Sequence, residues 1–246
     1  MKKSFPWLIL LMFLLPLSAA AQEKLSVAVA ANFISAFKEI AADFESKTGV
    51  KVEATFSSTG NLYSQIQNGA PYDVFLSADE QRPDLLQKEG ATDGTFIYAR
   101  GQAILWSADK NFCKAANWQD ALKNEKIKKL AIANTATAPY GTAAMTALKK
   151  TGQWEGLQSK LVVAQSVAQS FQYATTQSVD AGFCALSAAA GAEGKKGCYY
   201  AIPEAPEVVQ AGCMLKSTKN KICAELFAAY LMSDQAAQIK KRYGYR

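Results

Sequence analysis

Between Phe56 and Asp79 the chain reads FSSTGNLYSQIQNGAPYDVFLSAD, which sets a row of small hydroxyl residues directly ahead of an amphipathic helix. Ser57, Ser58, Thr59 and Gly60 can offer O–H and backbone N–H donors at a helix start. There the first four amides lack intrahelical acceptors and the dipole end is positive. Such a set of donors suits an anion. A plainer reading competes with it, because Ser-Ser-Thr is also ordinary helix-capping chemistry. Three more strand-to-helix junctions carry donors, at Asn32, Tyr140 and Val167.

The elements that position these residues follow from apolar periodicity. Leu25 to Ala30 reads as a short apolar strand, followed by a helix from Ile34 to Ser46 with Phe33, Phe37, Ile40, Ala41 and Phe44 as its apolar stripe. Val50 to Phe56 is a second strand leading into the hydroxyl turn. The helix after it carries Leu62 and Ile66 and stops at Gly69-Ala70-Pro71, and Tyr72 to Ala78 is a buried strand. Strand and helix alternating in this way predict right-handed βαβ units and a parallel sheet, with ligands gathering outside the carboxyl ends of the strands.

Farther on, Ala99 to Ser107 reads as a strand crossing to a second lobe. Lys129 to Asn134 and Leu161 to Ala164 are strands that end at the Tyr140 and Val167 junctions, and Asp180 to Leu186 is a buried strand. Val208 to Leu215 crosses back, and a helix from Ile222 to Met232 completes the first lobe. Two donor junctions in each lobe imply a cleft that closes around a small ligand. Lys123 to Lys129, which includes Glu125, reads as a solvated helix face.

Several function classes are excluded. Histidine is absent, which removes His-based metal sites, Ser-His-Asp triads and Cys-His dyads. No G-x-S-x-G, Walker, H-E-x-x-H or C-x-x-C motif occurs, so no enzyme and no cofactor is expected. Residues 1–21 have a Lys2-Lys3 start, an apolar run from Trp7 to Leu17 and Ala19-Ala20-Ala21, which together read as a signal peptide cleaved after Ala21. The formal charge of +6 falls to +4 without Lys2 and Lys3, too mild for a nucleic-acid partner.

A mature chain of about 225 residues fits one large or two modest domains. With no cysteine at the cleavage site, a lipid anchor is not expected and the periplasm fits best. Five cysteines, Cys113, Cys184, Cys198, Cys213 and Cys223, leave at least one thiol unpaired. Cys213 could meet Cys223, and Cys184 could meet Cys198, but spacing alone does not decide between pairings.

Taken in order, AANF (30–33), TFSSTGNLYSQIQNGAPYDVFLSAD (55–79), APYG (138–141), SVAQS (166–170), GFCALS (182–187) and KKRYGY (240–245) resemble the periplasmic molybdate-binding proteins of ABC importers. The resemblance covers essentially the whole mature chain. It implies an α/β, two-lobed periplasmic-binding-protein type II fold, each lobe a mainly parallel sheet flanked by helices. Residues 22–101 and 208–246 would form one lobe and residues 102–207 the other.

The implied ligand is molybdate or tungstate, with Mo or W present only as the bound oxyanion. The implied contacts are Ala31 and Asn32, then Ser58 and Thr59, then the Tyr140 backbone N–H with its phenol, and the Val167 backbone N–H. Some relatives carry a tyrosine where this chain has Ala185. The implied partner is a membrane permease, and the protein would act as a monomer. Sulfate or another small anion is the alternative ligand, and an exported enzyme the alternative class.

Overall fold

The computed structural model describes residues 24–246. The expected signal segment and its cleavage point lie outside them. In chain order the strands are β1 (Lys24–Ala30), β2 (Lys51–Ser57), β3 (Val74–Leu76), β4 (Thr92–Gly101), β5 (Ala103–Ser107), β6 (Leu130–Ala133), β7 (Leu161–Ala164), β8 (Ala181–Ala185), β9 (Cys198–Ala201) and β10 (Val208–Leu215). The helices are α1 (Ile34–Thr48), α2 (Thr59–Gln67), α3 (Gln81–Lys88), α4 (Trp118–Leu122), α5 (Pro139–Lys150), α6 (Trp154–Leu157), α7 (Val167–Thr175), α8 (Leu186–Ala190), α9 (Lys221–Leu231) and α10 (Asp234–Arg242).

The strands form two five-stranded sheets, ordered β2-β1-β3-β10-β4 and β7-β6-β8-β5-β9. In the first, β1 pairs in parallel with β2 and β3, as expected of consecutive βαβ units. In the second, β6 pairs in parallel with β7 and β8. The remaining pairings are antiparallel: β10 against β3 and β4, and β5 against β8 and β9. The chain passes from the first sheet to the second between β4 and β5, and returns between β9 and β10. The strand expected over Ala99 to Ser107 is therefore two strands in different sheets, parted at Gln102.

Period-two alternation places an apolar layer on each side of a sheet. Val27 and Val29 pack into a core with Phe37, Ile40, Phe44 and Phe227, while Ala28 between them joins Leu62, Phe75 and Leu86 on the other face. In the second sheet Leu105 packs with Leu130, Ile132 and Leu148, and its neighbours Ile104 and Trp106 pack with Ala131 and Ala174. Phe227 is fully buried and meets Phe44 edge to face, with centroids 5.2 Å apart. Truncating it to alanine costs about 3 to 5 kcal/mol on the usual scale for buried aromatic side chains.

At the carboxyl ends of the strands a third layer bridges the two sheets. It consists largely of alanines, Ala30, Ala78, Ala103, Ala133, Ala138 and Ala185, together with Tyr140 and Val167. Small side chains here let four helix starts converge. Gly141 serves the same end, since a Cβ on it would lie 2.1 Å from the Ala133 carbonyl oxygen at the end of β6.

Two further sequence expectations need correction. Lys123 caps α4, and residues 124–129 form a largely exposed loop rather than a helix face. Asn124 and neighbouring turns satisfy the backbone there, with Lys126 N–H donating to Asn124 Oδ1 at 3.0 Å. The disulfide joins Cys113 to Cys198, neither of the pairings considered from sequence. It ties the turn after β5 to β9, while Cys184 and Cys213 are buried free thiols. Their burial pushes both thiol pKa values up, Cys213 to about 12, so neither is a reactive thiolate.

Candidate functional site

Six residues were singled out by sequence, and Ala31, Asn32, Ser58, Thr59, Tyr140 and Val167 all line one small cavity, of about 10 Å3. Ala30, Ala78, Ala138 and Pro139 complete its wall, which includes no charged side chain. Four helix starts meet there. Ala31 and Asn32 lie in a 3-10 turn that leads into α1, Thr59 opens α2, Pro139 and Tyr140 open α5, and Val167 opens α7. Each aligned helix presents about half a positive charge at this end, so four together favour an anion without a lysine or arginine.

The donors are distributed unevenly. Ser58 occupies the N-cap position of α2, yet its side chain makes no capping bond. Its Oγ is buried and is the side-chain oxygen or nitrogen without a hydrogen-bond partner among the described residues. An unpaired buried hydroxyl costs on the order of 1 to 3 kcal/mol, which an acceptor in the cavity removes. The capping reading of the Ser-Ser-Thr turn does not describe this geometry. Ser57, by contrast, ends β2 opposite Ala30.

Thr59 Oγ1 accepts from the Ala78 N–H at 2.9 Å, which orients the hydroxyl and leaves its proton to donate. The Gly60 N–H donates to the Thr137 carbonyl at 2.8 Å across the seam between the sheets, so it is a bridge rather than a cavity donor. Arg82 adds a second bridge, from Nη2 to the Ala136 carbonyl at 2.9 Å, while its other arm pairs with Asp79. Asp79 also accepts from the Arg82 N–H at the start of α3, and Asp73 accepts from the Ser26 N–H and the Thr218 hydroxyl.

On the opposite wall, the Gly141 and Thr142 N–H groups are both taken by the Ala138 carbonyl. The Tyr140 and Val167 amides, as first-turn groups, have no intrahelical acceptor. The Tyr140 phenol turns away from them, since its oxygen accepts from Gln210 Nε2 at 3.4 Å. The Asn32 side chain is likewise engaged: Nδ2 donates to Gln210 Oε1 at 2.7 Å and to the Tyr245 hydroxyl at 3.0 Å. Both Tyr245 and Ser187 donate to the Asn32 carbonyl, at 2.7 and 2.8 Å. Burial pushes the phenol pKa values of Tyr98 and Tyr140 well up and that of Tyr245 to about 12, so all three are neutral donors at ordinary pH.

Residues 25–246 match the family model described as bacterial extracellular solute-binding protein. The chain is 42% identical over 233 residues to the molybdate-binding protein ModA of Azotobacter vinelandii, covering 92% of this chain and 91% of that protein. It is 38% identical to the molybdate-binding protein ModA of Rhodobacter capsulatus, with 94% and 91% covered. The solved structure of the Azotobacter vinelandii periplasmic molybdate-binding protein superposes with a TM-score of 0.86 at 34% identity, covering 90% of this chain and 98% of that one. The chain belongs to the bacterial extracellular solute-binding protein family.

Sequence reasoning missed several residues of this solute-binding protein that stand behind its cavity. Gln210 is fully buried in β10, and Tyr98, Tyr245 and Ser187 are buried beside it. A signal for Gln210 was present, because a lone amide interrupts the apolar run VVQAGCML. Tyr245 closes the KKRYGY motif, whose residue types alone give it no role. It is carried in when the terminal residue pairs with β4, with Arg100 N–H donating to the Arg246 carbonyl at 2.7 Å and Arg246 N–H donating back at 3.0 Å. Phe33 and Trp106 are core residues, and Tyr63 donates to Glu89 on the surface. Ala185 lines a mostly apolar groove of about 310 Å3 with Ile34, Phe171 and Ala188, which shares Ala31, Asn32 and Val167 with the donor cavity.

Proposed function

We propose that the cavity captures a tetrahedral oxyanion, molybdate and also tungstate, and that the chain hands it to the membrane permease of an ABC importer. The observation that carries this reading is the partnerless Ser58 hydroxyl in the wall of a cavity without charged side chains. Molybdate at neutral pH is a dianion that only accepts hydrogen bonds. Ser58, Thr59 and the Ala31, Asn32, Tyr140 and Val167 amides are donors for it. Bonds to a charged acceptor contribute on the order of 1.5 to 3 kcal/mol each, so a few neutral donors and the helix dipoles hold a dianion.

A protonated phosphate would profit from a carboxylate acceptor, and none lines the wall. Sulfate shares the hydrogen-bond logic and is discriminated by size. The relatives that share 42% and 38% of their residues with the chain carry molybdate-binding names, which supports molybdate over sulfate.

In this reading residues 22–101 and 208–246 form one lobe and 102–207 the other, supported by their membership of different sheets. The protein works as a periplasmic monomer that binds reversibly, without turnover and without nucleic acid. Calorimetric titration and thermal melts with molybdate, tungstate, sulfate and phosphate test it. Molybdate and tungstate at a hundredfold excess over Kd should stabilise the fold by about 2.7 kcal/mol, and sulfate and phosphate should leave the melt unchanged. Binding of sulfate alone reassigns the ligand, and no response to any of the four overturns the reading.

A further inference from the structure

The donor cavity is backed by an uncharged polar network whose centre is Gln210. This side chain is fully buried, on the strand that returns to the first sheet. Its Oε1 accepts from Asn32 Nδ2 at 2.7 Å and from the Tyr98 hydroxyl at 3.1 Å, and its Nε2 donates to the Tyr140 hydroxyl at 3.4 Å. Asn32 follows β1 of the first sheet, whereas Tyr140 begins the helix after β6 of the second. One amide therefore reaches two walls of the cavity that belong to different sheets.

The backbone around it is shaped to permit this. The β10 to β4 register shifts between Gln210 and Ala211, the kind of irregularity that re-aims a side chain. Opposite, Gly101 ends β4 at the crossing between sheets, and a Cβ there would lie 1.9 Å from the Tyr140 hydroxyl and 2.8 Å from Gln210 Nε2. The phenol can dock only because position 101 carries no side chain. A simple core amide would need neither accommodation, since satisfying it requires partners on its own sheet only.

We propose that Gln210 is a positioning residue for ligand capture, tying the Asn32 loop to the start of α5 so that donors from both sides of the cleft share one geometry when it is closed. This rests on the reading of the cavity as the oxyanion site. The Gln210 to Tyr140 bond is a closure contact, made together with the Ser187 hydroxyl on the Asn32 carbonyl. Separating the sheets breaks both, so the pair slows release of the ligand.

The test is a double-mutant cycle on the full mature chain with Gln210→Met and Tyr140→Phe, reading molybdate affinity, its dissociation rate and the ligand-free melting temperature. Gln210→Met should weaken molybdate at least tenfold, mainly through faster dissociation. Tyr140→Phe keeps the backbone N–H and should weaken binding by a similar factor. The double variant should be little weaker than either single one. Affinities within twofold of the parent, or two effects that multiply independently, overturn the inference, as does a lower ligand-free melting temperature with affinity unchanged. Tyr140→Phe removes a hydroxyl and no carbon, so it carries the test alone if Gln210→Met fails to fold: unchanged affinity and dissociation rate then overturn the proposal. A parent protein that binds none of the oxyanions overturns the functional reading itself, and that result is distinct from a parent that binds while its variants bind equally well.

Discussion

Ser58 and Ser166 occupy the same position on different sheets, each the N-cap of a nine-residue helix that follows a strand. Both have extended backbone conformations, yet their hydroxyls behave differently. Ser166 Oγ accepts from the Gln169 N–H at 3.3 Å, as a capping serine does. Ser58 Oγ has no partner among the described residues and faces a site where two further helices arrive from the other sheet. The same residue type at the same local position is a cap in one place and a held-open donor in the other. Side-chain hydroxyls line the cavity only on the first sheet's side, at Ser58 and Thr59, whereas the second sheet's side, at Ala138, Pro139, Tyr140 and Val167, has backbone amides to offer, the Tyr140 phenol being turned onto Gln210.

The contrast can be broken most sharply at Ser58. Ser58→Ala should weaken molybdate binding by roughly ten- to a hundredfold, the equivalent of one charge-assisted bond, while the ligand-free melting temperature holds or rises. Titration and melts on the same sample check both halves. A drop in ligand-free stability with unchanged affinity would make Ser58 a cap after all.

Thr59→Ala is expected to act on both quantities, because it removes a donor and also strips the Ala78 N–H of its acceptor. Its stability loss should be about 1 to 3 kcal/mol, read by chemical denaturation, and Thr59→Ser should restore most of it. Ser166→Ala should cost about 1 kcal/mol of stability in the same experiment and change affinity far less than Ser58→Ala.

The smallest effect at neutral pH comes from titration of the phenols, which stay protonated there. Burial raises their pKa values above the ordinary value of about 10, so the neutral forms are favoured in the folded state. Their contribution is complete below about pH 10 and is lost as pH climbs through about 12, the value to which Tyr245 is pushed. Melting temperatures taken across that window should fall, and Tyr245→Phe should flatten the fall. Neither serine titrates there, so an alkaline loss of binding that Tyr245→Phe removes belongs to the network behind Asn32 and not to the hydroxyl donors.

Local pattern was enough to place β1, α1, β2, α2, β7 and the start of α7, because each is an apolar run or stripe bounded by turn residues. It failed where packing partners decide. Ala99 to Ser107 is continuously extended, and only pairing with β10 on one side and β8 on the other splits it between two sheets. The lysine-rich stretch after Leu122 has helical composition, but no apolar stripe holds it against a core. The disulfide was undecided because Cys113 and Cys198 are 85 residues apart and meet only once β9 lies beside β5.

For the candidate site, the sequence by itself determined the chemistry: no histidine, small hydroxyls and free amides at four helix starts, and hence donors for a dianion. Residue type and junction position suffice for that, since unpaired first-turn amides are a property of any helix. Tertiary structure alone decided which donors remain available. The Gly60 N–H and the Asn32 side-chain amide are consumed by partners far away in sequence, and Tyr140 turns its phenol onto Gln210. Ser58 alone among the buried hydroxyls is left unsatisfied, because no described residue brings a partner within hydrogen-bond reach of its Oγ.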